Sequence, residues 1–446
     1  MNYTELADEI AREIADGRYR PGDRLLPQRE FAHRRRVAVS TASRAYAELV
    51  RRRLAVGEVG RGTFVRPLSG APPADLVEPT GARIDLELNF PFVPEQPSIL
   101  AGSLARLAGD PERLAASMTA ASVRGTAAAR RAVTLMHREA GWAAPEHRML
   151  FAGNGKQAVA AALRALLRPG DRLGVEAHTY PVVKTVAAQV GAAIVPLPMD
   201  AEGITPEAVR AAHQQGPLKA LYLQPTLHNP LGATMSLARR EQLAAVLEEL
   251  DVRAVEDVVN AFLSENAPPP LASLAPERVV LLDSLSKRLS PGLTIGMLVC
   301  PDDLVEPVTG ALRAALTGPQ RFALEACTLW LEDGSVARLS AMKRLDAARR
   351  RALAERYLQG AARRIAGGGY HCWLELPEAW RAESFVAAAA RRQIALTPGG
   401  AFTTKPGHTP NAVRLALASP PLPLLECALR QLCLLLNSAP ESWPTE

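Results

Sequence analysis

The feature that most constrains the fold is a regular alternation between residues 150 and 300 of short apolar runs and longer amphipathic runs. Two of the longer runs, KQAVAAALRALL and LARREQLAAVLEEL, have the apolar spacing of helices. Strands that alternate with helices in this way form a largely parallel sheet with helices on its faces. The predicted strands are DRLGVEA (171–177), KALYLQPT (219–226), VRAVEDVV (252–259), RVVLLDS (278–284) and IGMLVCP (295–301).

The pattern changes after about residue 330. The segments YHCWLELP and AVRLALA have the composition of strands, and they stand among helical segments rich in Ala and Arg. This indicates a smaller α+β subdomain at the C-terminal end. We therefore expect one domain over residues 86–446, with a large part at about 120–330 and a small part at about 331–446.

The first 66 residues have a different pattern. Leu6, Ile10 and Ile14 are spaced four apart, as on one face of a helix, and QREFAHRRR (28–36) and VAVSTASRAYAELVRRR (37–53) predict two more helices. LAVGEVGRGTFVRP then reads as two short strands around a Gly-rich tip. Three helices and a hairpin predict a winged helix-turn-helix over residues 1–66, whose third helix enters the major groove.

Basic charge is concentrated in this segment. The whole chain has a formal net charge of +6, and residues 1–66 hold 14 arginines against 9 acidic residues, or about +5. This distribution predicts double-stranded DNA as the partner, although a solvated Arg-rich domain without a DNA role is the alternative. The candidate DNA contacts lie on the reading helix, beside it, or at the wing tip: Arg29, Arg34, Arg36, Ser40, Thr41, Ser43, Arg44 and Arg61.

Composition also bounds the cellular setting. Residues 67–85, rich in Pro, Gly and Ala, predict an interdomain linker. The acidic start without an apolar core and the lack of a long apolar stretch predict a cytoplasmic protein with no membrane contact. The five cysteines are scattered without a CxxC pair, so we expect reduced thiols and no metal site.

Polar groups follow several predicted strands, which is where α/β proteins bind ligands. Residues 153–155 (Gly-Asn-Gly) directly precede a helix, whose first N–H groups can hold a phosphate. Asn229 follows one strand, Asp257 ends another, and SLSK (284–287) ends a third with Lys287. Pyridoxal phosphate (PLP) needs a lysine for a Schiff base, an acid for its ring nitrogen and a phosphate site.

These motifs resemble known families. GDRLLPQREFA and GRGTFV are similar to the helix-turn-helix box and wing of GntR regulators. AGNGKQ, QPTLHNPLG, VEDVV and SLSK, in that order, resemble the fold-type I aminotransferases. Over nearly its full length the chain resembles the MocR-type GntR regulators. The resemblance implies PLP as the cofactor, a homodimer, and a small amine or amino acid as the effector.

The resemblance also implies roles for individual residues. Lys287 would carry the Schiff base, Asp257 would pair with the ring nitrogen, and Asn229 would hydrogen-bond the phenolic oxygen. Tyr180 would stack on the ring, and Arg414 would hold an α-carboxylate by a bidentate fork. The phosphate is expected against Gly155, Lys156, Gln157 and Ser284, and Ser286 completes the cofactor set.

Three positions depart from the family pattern. Val39 stands where an arginine commonly begins the reading helix. Asn260 stands where a tyrosine usually follows the aspartate by three residues, and Thr294 replaces an arginine seven residues after the lysine. The lost charge should weaken PLP binding by about 1.5–3 kcal/mol, the value of a hydrogen bond to a charged group, and disfavours efficient transamination.

Three functions remain open from the sequence. The favoured one is a PLP-dependent regulator that senses an amine or amino acid through Lys287. The second is an active aminotransferase with an appended DNA-binding domain, which the presence of Arg414 permits. The third is a DNA-binding protein whose effector domain has lost PLP and serves only to dimerise.

Overall fold

The computed structural model describes residues 3–15, 18–19, 23–51, 54–58, 62–65, 83–139, 141–362, 364–404 and 409–438. Arg61 at the predicted wing tip and most of the predicted linker therefore lie outside the described residues. The chain divides into two compact units, which are described separately.

The first unit contains three helices and a two-stranded antiparallel hairpin: α1 Tyr3–Ala15, α2 Gln28–Arg35, α3 Val39–Arg51, β1 Ala55–Glu58 and β2 Gly62–Val65. The residues predicted to face inward do so: Leu6, Ile10, Ile14, Ala42, Ala45 and Leu49 are all buried in one apolar cluster. The unit is a winged helix-turn-helix, as the sequence predicted.

The second unit contains all remaining elements. Its helices are α4 Gln96–Gly109, α5 Pro111–Ser117, α6 Ala127–Glu139, α7 Gly155–Leu166, α8 Pro181–Val190, α9 Pro206–Gln214, α10 Leu237–Glu249, α11 Leu271–Leu274, α12 Asp302–Ala314, α13 Arg321–Glu332, α14 Ser335–Leu358, α15 Ala382–Arg391 and α16 Leu422–Leu436. Its strands are β3 Ile84–Asp85, β4 Met149–Ala152, β5 Arg172–Glu176, β6 Ala193–Leu197, β7 Met199–Asp200, β8 Gly203–Ile204, β9 Ala220–Leu223, β10 Arg253–Asp257, β11 Val279–Ser284, β12 Gly296–Val299, β13 Arg364–Ala366, β14 His371–Glu375, β15 Ile394–Ala395, β16 Thr397–Pro398 and β17 Ala412–Ala416.

The large sheet has seven strands in the order β4-β12-β11-β10-β9-β5-β6. β12 is antiparallel to both of its neighbours, and the remaining strands run in one direction. All five predicted strands are present and form its centre. The two edge strands, β4 and β6, were not predicted, because β4 is only four residues long and β6 is half-exposed and contains Pro196.

Helices cover both faces of this sheet. One apolar cluster joins α7, α8 and α12 to the strands, and another joins α6, α9, α10 and α13 to the opposite face. Because both faces are buried, the central strands are continuous apolar runs, and the polar residues fall at their ends.

The smaller part is built on the sheet β13-β14-β17-β16. Its core is formed with α14, α15 and α16, which confirms the expected α+β character. β3 pairs in parallel with β15, so the last two residues of the predicted linker already belong to this structure. Within the described residues, no helix is long and apolar enough to span a membrane.

Candidate functional site

Asp257 lies at the carboxyl end of β10 and is almost fully buried. Its Oδ2 atom accepts hydrogen bonds from the Tyr222 hydroxyl at 2.6 Å and from Gln224 Nε2 at 3.2 Å, and its Oδ1 accepts from the Val259 N–H at 3.1 Å. Burial raises the pKa of Asp257, while these hydrogen bonds lower it. The carboxylate is thus fixed in position by three donors at the end of a central strand.

Asn229 and Tyr180 lie near the side chains that hold this carboxylate. The backbone N–H of Asn229 donates to Gln224 Oε1 at 3.1 Å, and Gln224 connects it to Asp257. Tyr180 stands at the start of α8, and burial, Asp257 and Tyr180 together raise the pKa of Tyr222 well above its usual value. Three sequence-predicted residues, Asp257, Asn229 and Tyr180, are therefore brought together.

The start of α7 meets the end of β11. A Cβ atom added to Gly155 would lie 3.1 Å from the Ser284 Cβ, so only a glycine lets the helix approach this closely without displacing its neighbour. Asn154 caps α7 by accepting a hydrogen bond from the Gln157 N–H at 3.0 Å. The N–H groups of Gly155 and Lys156 lie in the first turn of α7, where a backbone N–H has no carbonyl acceptor within the helix.

A cluster of hydroxyl groups lies next to this helix start. The Oγ atoms of Ser284 and Ser286 are 2.8 Å apart, and Thr294 Oγ1 lies 3.2 Å from the first and 3.0 Å from the second. Thr294 is the position where the family pattern has an arginine. Here it donates or accepts hydroxyl hydrogen bonds, so the cluster carries no charge of its own.

Lys287 lies three residues after Ser284. Its Nζ atom donates a hydrogen bond of 2.5 Å to the backbone carbonyl of Asn89, and it lies 4.4 Å from the centroid of the Phe90 ring. The lysine is half-buried, not on the open surface. It is therefore held over the same end of the sheet as Ser284 and Asp257, whose strands are neighbours.

Arg414 is buried on β17. Its Nη2 atom donates to the Glu87 carbonyl at 2.6 Å and to Thr397 Oγ1 at 3.0 Å, and its guanidinium lies 5.1 Å from the Phe402 ring centroid. Burial, Arg414 and Lys287 all lower the pKa of His371 well below its ordinary value. His371 thus lies near both cationic side chains and is itself neutral at pH 7.

Several residues of this site were missed from the sequence. Tyr222, Gln224, Asn89, Phe90 and His371 each contact a predicted residue or lie near one. Tyr222 and Gln224 could have been found, because both lie within the predicted strand KALYLQPT. Nothing in the sequence placed Asn89 or His371 beside Lys287, because they come from distant parts of the chain.

In the first unit, the reading helix α3 exposes Ser40, Ser43 and Arg44 and half-exposes Thr41. The Arg44 guanidinium lies 5.6 Å from the Tyr3 ring centroid. Arg29 and Arg36 are exposed at the two ends of α2. Each of these predicted positions is therefore at least partly accessible to solvent.

Two neighbouring arginines have protein partners. Arg34 donates to Glu30 at 2.8 Å, and Arg35 donates to Glu9 at 2.7 Å and Glu13 at 2.5 Å. Arg35, which is not among the predicted DNA contacts, therefore joins α2 to α1, whereas the predicted contact Arg34 stays exposed.

An exposed arginine that was not predicted lies beside the wing: Arg24, in the segment before α2, forms an isolated β-bridge with Phe64 of β2. Arg24 lies against Gly62, where an added Cβ would meet its Nε at 2.7 Å.

Fold and site together define a winged helix-turn-helix followed by a fold-type I aminotransferase-like domain. Comparison with known families agrees. Residues 2–65 match the bacterial regulatory proteins of the gntR family, and residues 118–432 match the class I and II aminotransferases.

Relatives match this chain over nearly its full length. The chain is 31% identical to the HTH-type transcriptional regulator YdeF of Bacillus subtilis, covering 94% of this chain and 90% of the relative. It is 28% identical to the HTH-type transcriptional regulator TauR of Rhodobacter capsulatus, over 93% and 92% of the two chains. The chain belongs to the MocR-type GntR regulators, and it is a transcriptional regulator with a DNA-binding domain.

Solved structures similar to the second unit are aminotransferases. An archaeal alanine:glyoxylate aminotransferase matches with a TM-score of 0.74 and 21% identity, covering 81% of this chain and 91% of that one. The kynurenine aminotransferase of Pyrococcus horikoshii, solved in complex with PMP, matches with a TM-score of 0.73 and 22% identity, over 80% and 91%. At this level of identity the likeness establishes the fold.

Proposed function

We propose that this regulator binds PLP at Lys287 and responds to an amine or amino acid that reaches the same site. The observation that carries the proposal is the convergence of Lys287, Asp257 and the Gly155–Ser284 contact at one end of the sheet. A lysine amine, a buried carboxylate and an open helix start are the three groups that PLP requires.

The residues present fit this cofactor. Among the described side chains, the buried atoms Asn229 Oδ1 and Gln157 Oε1 have no hydrogen-bond partner. Buried polar atoms are normally paired, so atoms left unpaired around a site favour a polar ligand there. Gly155, Lys156, Ser284 and Ser286 would hold the phosphate, and Asp257 would hold the protonated ring nitrogen.

PLP, when bound, supplies an aldehyde carbon that exchanges one amine for another. The protein's part is to present Lys287 at that carbon, keep Asp257 ionised against the ring, and exclude water around both. Tyr222 and Gln224 hold Asp257 by hydrogen bonds, and therefore fix its orientation.

Arg414 is the residue we assign to the effector's carboxylate. Its guanidinium is buried near Lys287 and His371, so an anion that approached would meet it in a poorly hydrated place. A charge-assisted, bidentate contact there would favour amino acids over simple amines. Because Arg414 also donates to Glu87 and Thr397, a structural role alone is the alternative that the test must separate.

We further propose a homodimer that binds double-stranded DNA through Arg29, Arg36, Ser40, Ser43 and Arg44. The family resemblance supports the dimer, and the exposed α3 surface supports the DNA contact. A regulator that binds DNA works in the cytoplasm, and we propose the same location here.

The experiment measures three quantities on the purified full-length chain: absorbance above 380 nm after addition of PLP, its change with a panel of amines and amino acids, and DNA affinity in each state. We expect PLP uptake, a spectral response to amino ligands, and a DNA affinity that changes with the ligand. No PLP uptake would leave the third function, a dimerising domain. Keto acid formed at several turnovers per second would favour an aminotransferase.

A further inference from the structure

Lys343 in α14 is a fully buried lysine that contacts the segment following Lys287. Its Nζ atom donates to three consecutive backbone carbonyls: Lys287 at 3.1 Å, Arg288 at 2.8 Å and Leu289 at 2.7 Å. An ammonium group has three N–H donors, so these acceptors use all of them.

A lysine is rarely buried without a specific reason. Burial lowers the pKa of Lys343 to about 7, with Asp346 opposing and Lys287 adding to the shift. Burying the charged Lys343 side chain therefore costs part of its hydration free energy. The three carbonyls offset that cost, and they belong to the backbone that carries the candidate Schiff-base lysine.

The same face of α14 also contacts the smaller sheet. The Tyr370 hydroxyl donates to the Lys343 carbonyl and to Asp346 Oδ2, both at 2.9 Å. Arg350 donates to Asp346 at 2.6 Å and to the Leu417 carbonyl, just past β17, at 2.8 Å. Lys343 therefore connects the Lys287 segment to a helix that is itself anchored beside the strand of Arg414.

We propose that Lys343 is a positioning residue for Lys287. Its ammonium fixes the carbonyls of residues 287–289, so that the Lys287 Nζ stays at the Asn89 carbonyl and over Phe90. The proposal rests on the proposed role of Lys287 in function, but the fixed backbone is a property of the chain itself and can be measured without PLP.

The test compares Lys343→Met with Lys343→Arg, which keeps a cation, and with Arg338→Met, an exposed control on the same helix. Hydrogen exchange is followed by mass spectrometry in peptides covering residues 285–293 of the full chain without PLP. Loss of three hydrogen bonds to a charged group predicts exchange at least about tenfold faster in Lys343→Met. Arg338→Met should match the wild type, and Lys343→Arg should lie between.

PLP is then added and the adduct on Lys287 is fixed with borohydride. We expect the noncovalent binding of PLP to be unchanged in Lys343→Met and the Lys287 adduct to form about tenfold more slowly, with partial rescue by Lys343→Arg. A positioning role separates these two steps, whereas a general loss of structure would reduce both. If the wild type takes up no PLP, the proposed function fails, and the exchange data still decide the role of Lys343.

If Lys343→Met does not fold, Lys343→Arg provides the measurement, and the wild type adds a dependence on pH. The charged and titratable groups around Lys343 are Lys287, Arg288, Asp346, Arg350 and Tyr370. Between pH 6 and 8, exchange in 285–293, corrected for its intrinsic rate, should rise relative to peptides of β4 as the ammonium loses a donor. Unchanged exchange in a folded Lys343→Met variant, or in Lys343→Arg where Lys343→Met does not fold, overturns the proposal.

Discussion

Lys287 and Asn89, which are 198 residues apart in the sequence, are joined by a hydrogen bond of 2.5 Å from the lysine Nζ to the asparagine carbonyl. Asn89 lies in the segment just after β3, and its hydrogen bond with Lys287 places this segment at the end of the large sheet. Because a backbone carbonyl holds the amine, the Lys287 contact does not depend on which side chain stands at position 89.

Replacing Lys287 by alanine should abolish the covalent PLP adduct and leave the fold intact, because the side chain contributes one amine and little packing. Mass spectrometry of borohydride-reduced peptides measures the adduct, and circular dichroism measures the fold. Lys219→Ala, at an exposed lysine, is the matched control and should keep the adduct. An adduct on any other lysine in the wild type would contradict the assignment.

Replacing Thr294 by arginine should tighten PLP binding. The residue is buried beside Ser284 and Ser286, so a guanidinium there would add the charge that the hydroxyl cluster lacks. We expect the Kd for PLP to fall about tenfold, which corresponds to the low end of the free energy of a hydrogen bond to a charged group. Equilibrium dialysis of PLP measures it, with Thr294→Gln as a control of similar length and no charge. Equal affinities for the two variants would contradict a charge effect.

Much of the fold could be predicted from the sequence, because its helices and central strands are long enough for their periodicity to be clear. DRLGVEA and RVVLLDS are strands within one residue of their expected limits. β4 was missed because four residues are too few to show a period, although all four are buried, and β6 was missed because it is half-exposed and contains Pro196. The start of β3 inside the predicted linker was missed, because a strand of two residues is too short to show a periodicity.

The site could be predicted only in part. Asp257 and Ser284 end strands and Lys287 follows one, and the carboxyl ends of neighbouring parallel strands lie at the same edge of a sheet. Three further residues lie near Lys287: His371 on β14 of the small sheet, Asn89 in the segment after β3, and Lys343 on α14. No spacing in the sequence encodes those contacts, because they depend on how these elements pack against the large sheet.

Replacing Arg414 by glutamine should remove the response to ligands that carry a carboxylate and keep the PLP adduct on Lys287. The reason is that the guanidinium can pair with an anion, whereas the amide offers no charge. Spectral titrations compare an amino acid with the amine that differs from it only by lacking the carboxylate. They separate the response to the carboxylate from the response to the amine. A loss of affinity for both ligands, or for neither, would indicate a purely structural arginine.

Replacing Arg36 by alanine should weaken binding to all DNA sequences and reduce the slope of log K against log salt by about one, as for one phosphate contact. Arg44→Ala should instead reduce the preference between sites, because Arg44 is exposed on the reading helix. Filter binding or fluorescence anisotropy at several salt concentrations measures both. Arg338→Ala removes the same charge from the second unit and should leave DNA binding unchanged.

Lys343 should make the stability of the second unit depend on pH. Its pKa is about 7 in the folded chain against a reference of 10.5, so between those values the unfolded chain binds a proton that the folded chain does not. Stability contributed by this group therefore increases as the pH rises from 7 toward 10. The increase is at most about 1.4 kcal/mol per pH unit, or about 2 kcal/mol between pH 7 and 9.

The measurement is urea unfolding followed by tryptophan fluorescence at pH 7 and pH 9, since every tryptophan lies after residue 140 and reports the second unit. The wild type and Arg338→Met share all groups that titrate in this range, including Lys343, and should show the same increase. Lys343→Met lacks the buried amine, so its free energy of unfolding should gain about 2 kcal/mol less between the two pH values. An equal gain in all three proteins would mean that Lys343 keeps its proton inside the folded chain throughout this range, and that its three carbonyl contacts hold a permanent cation.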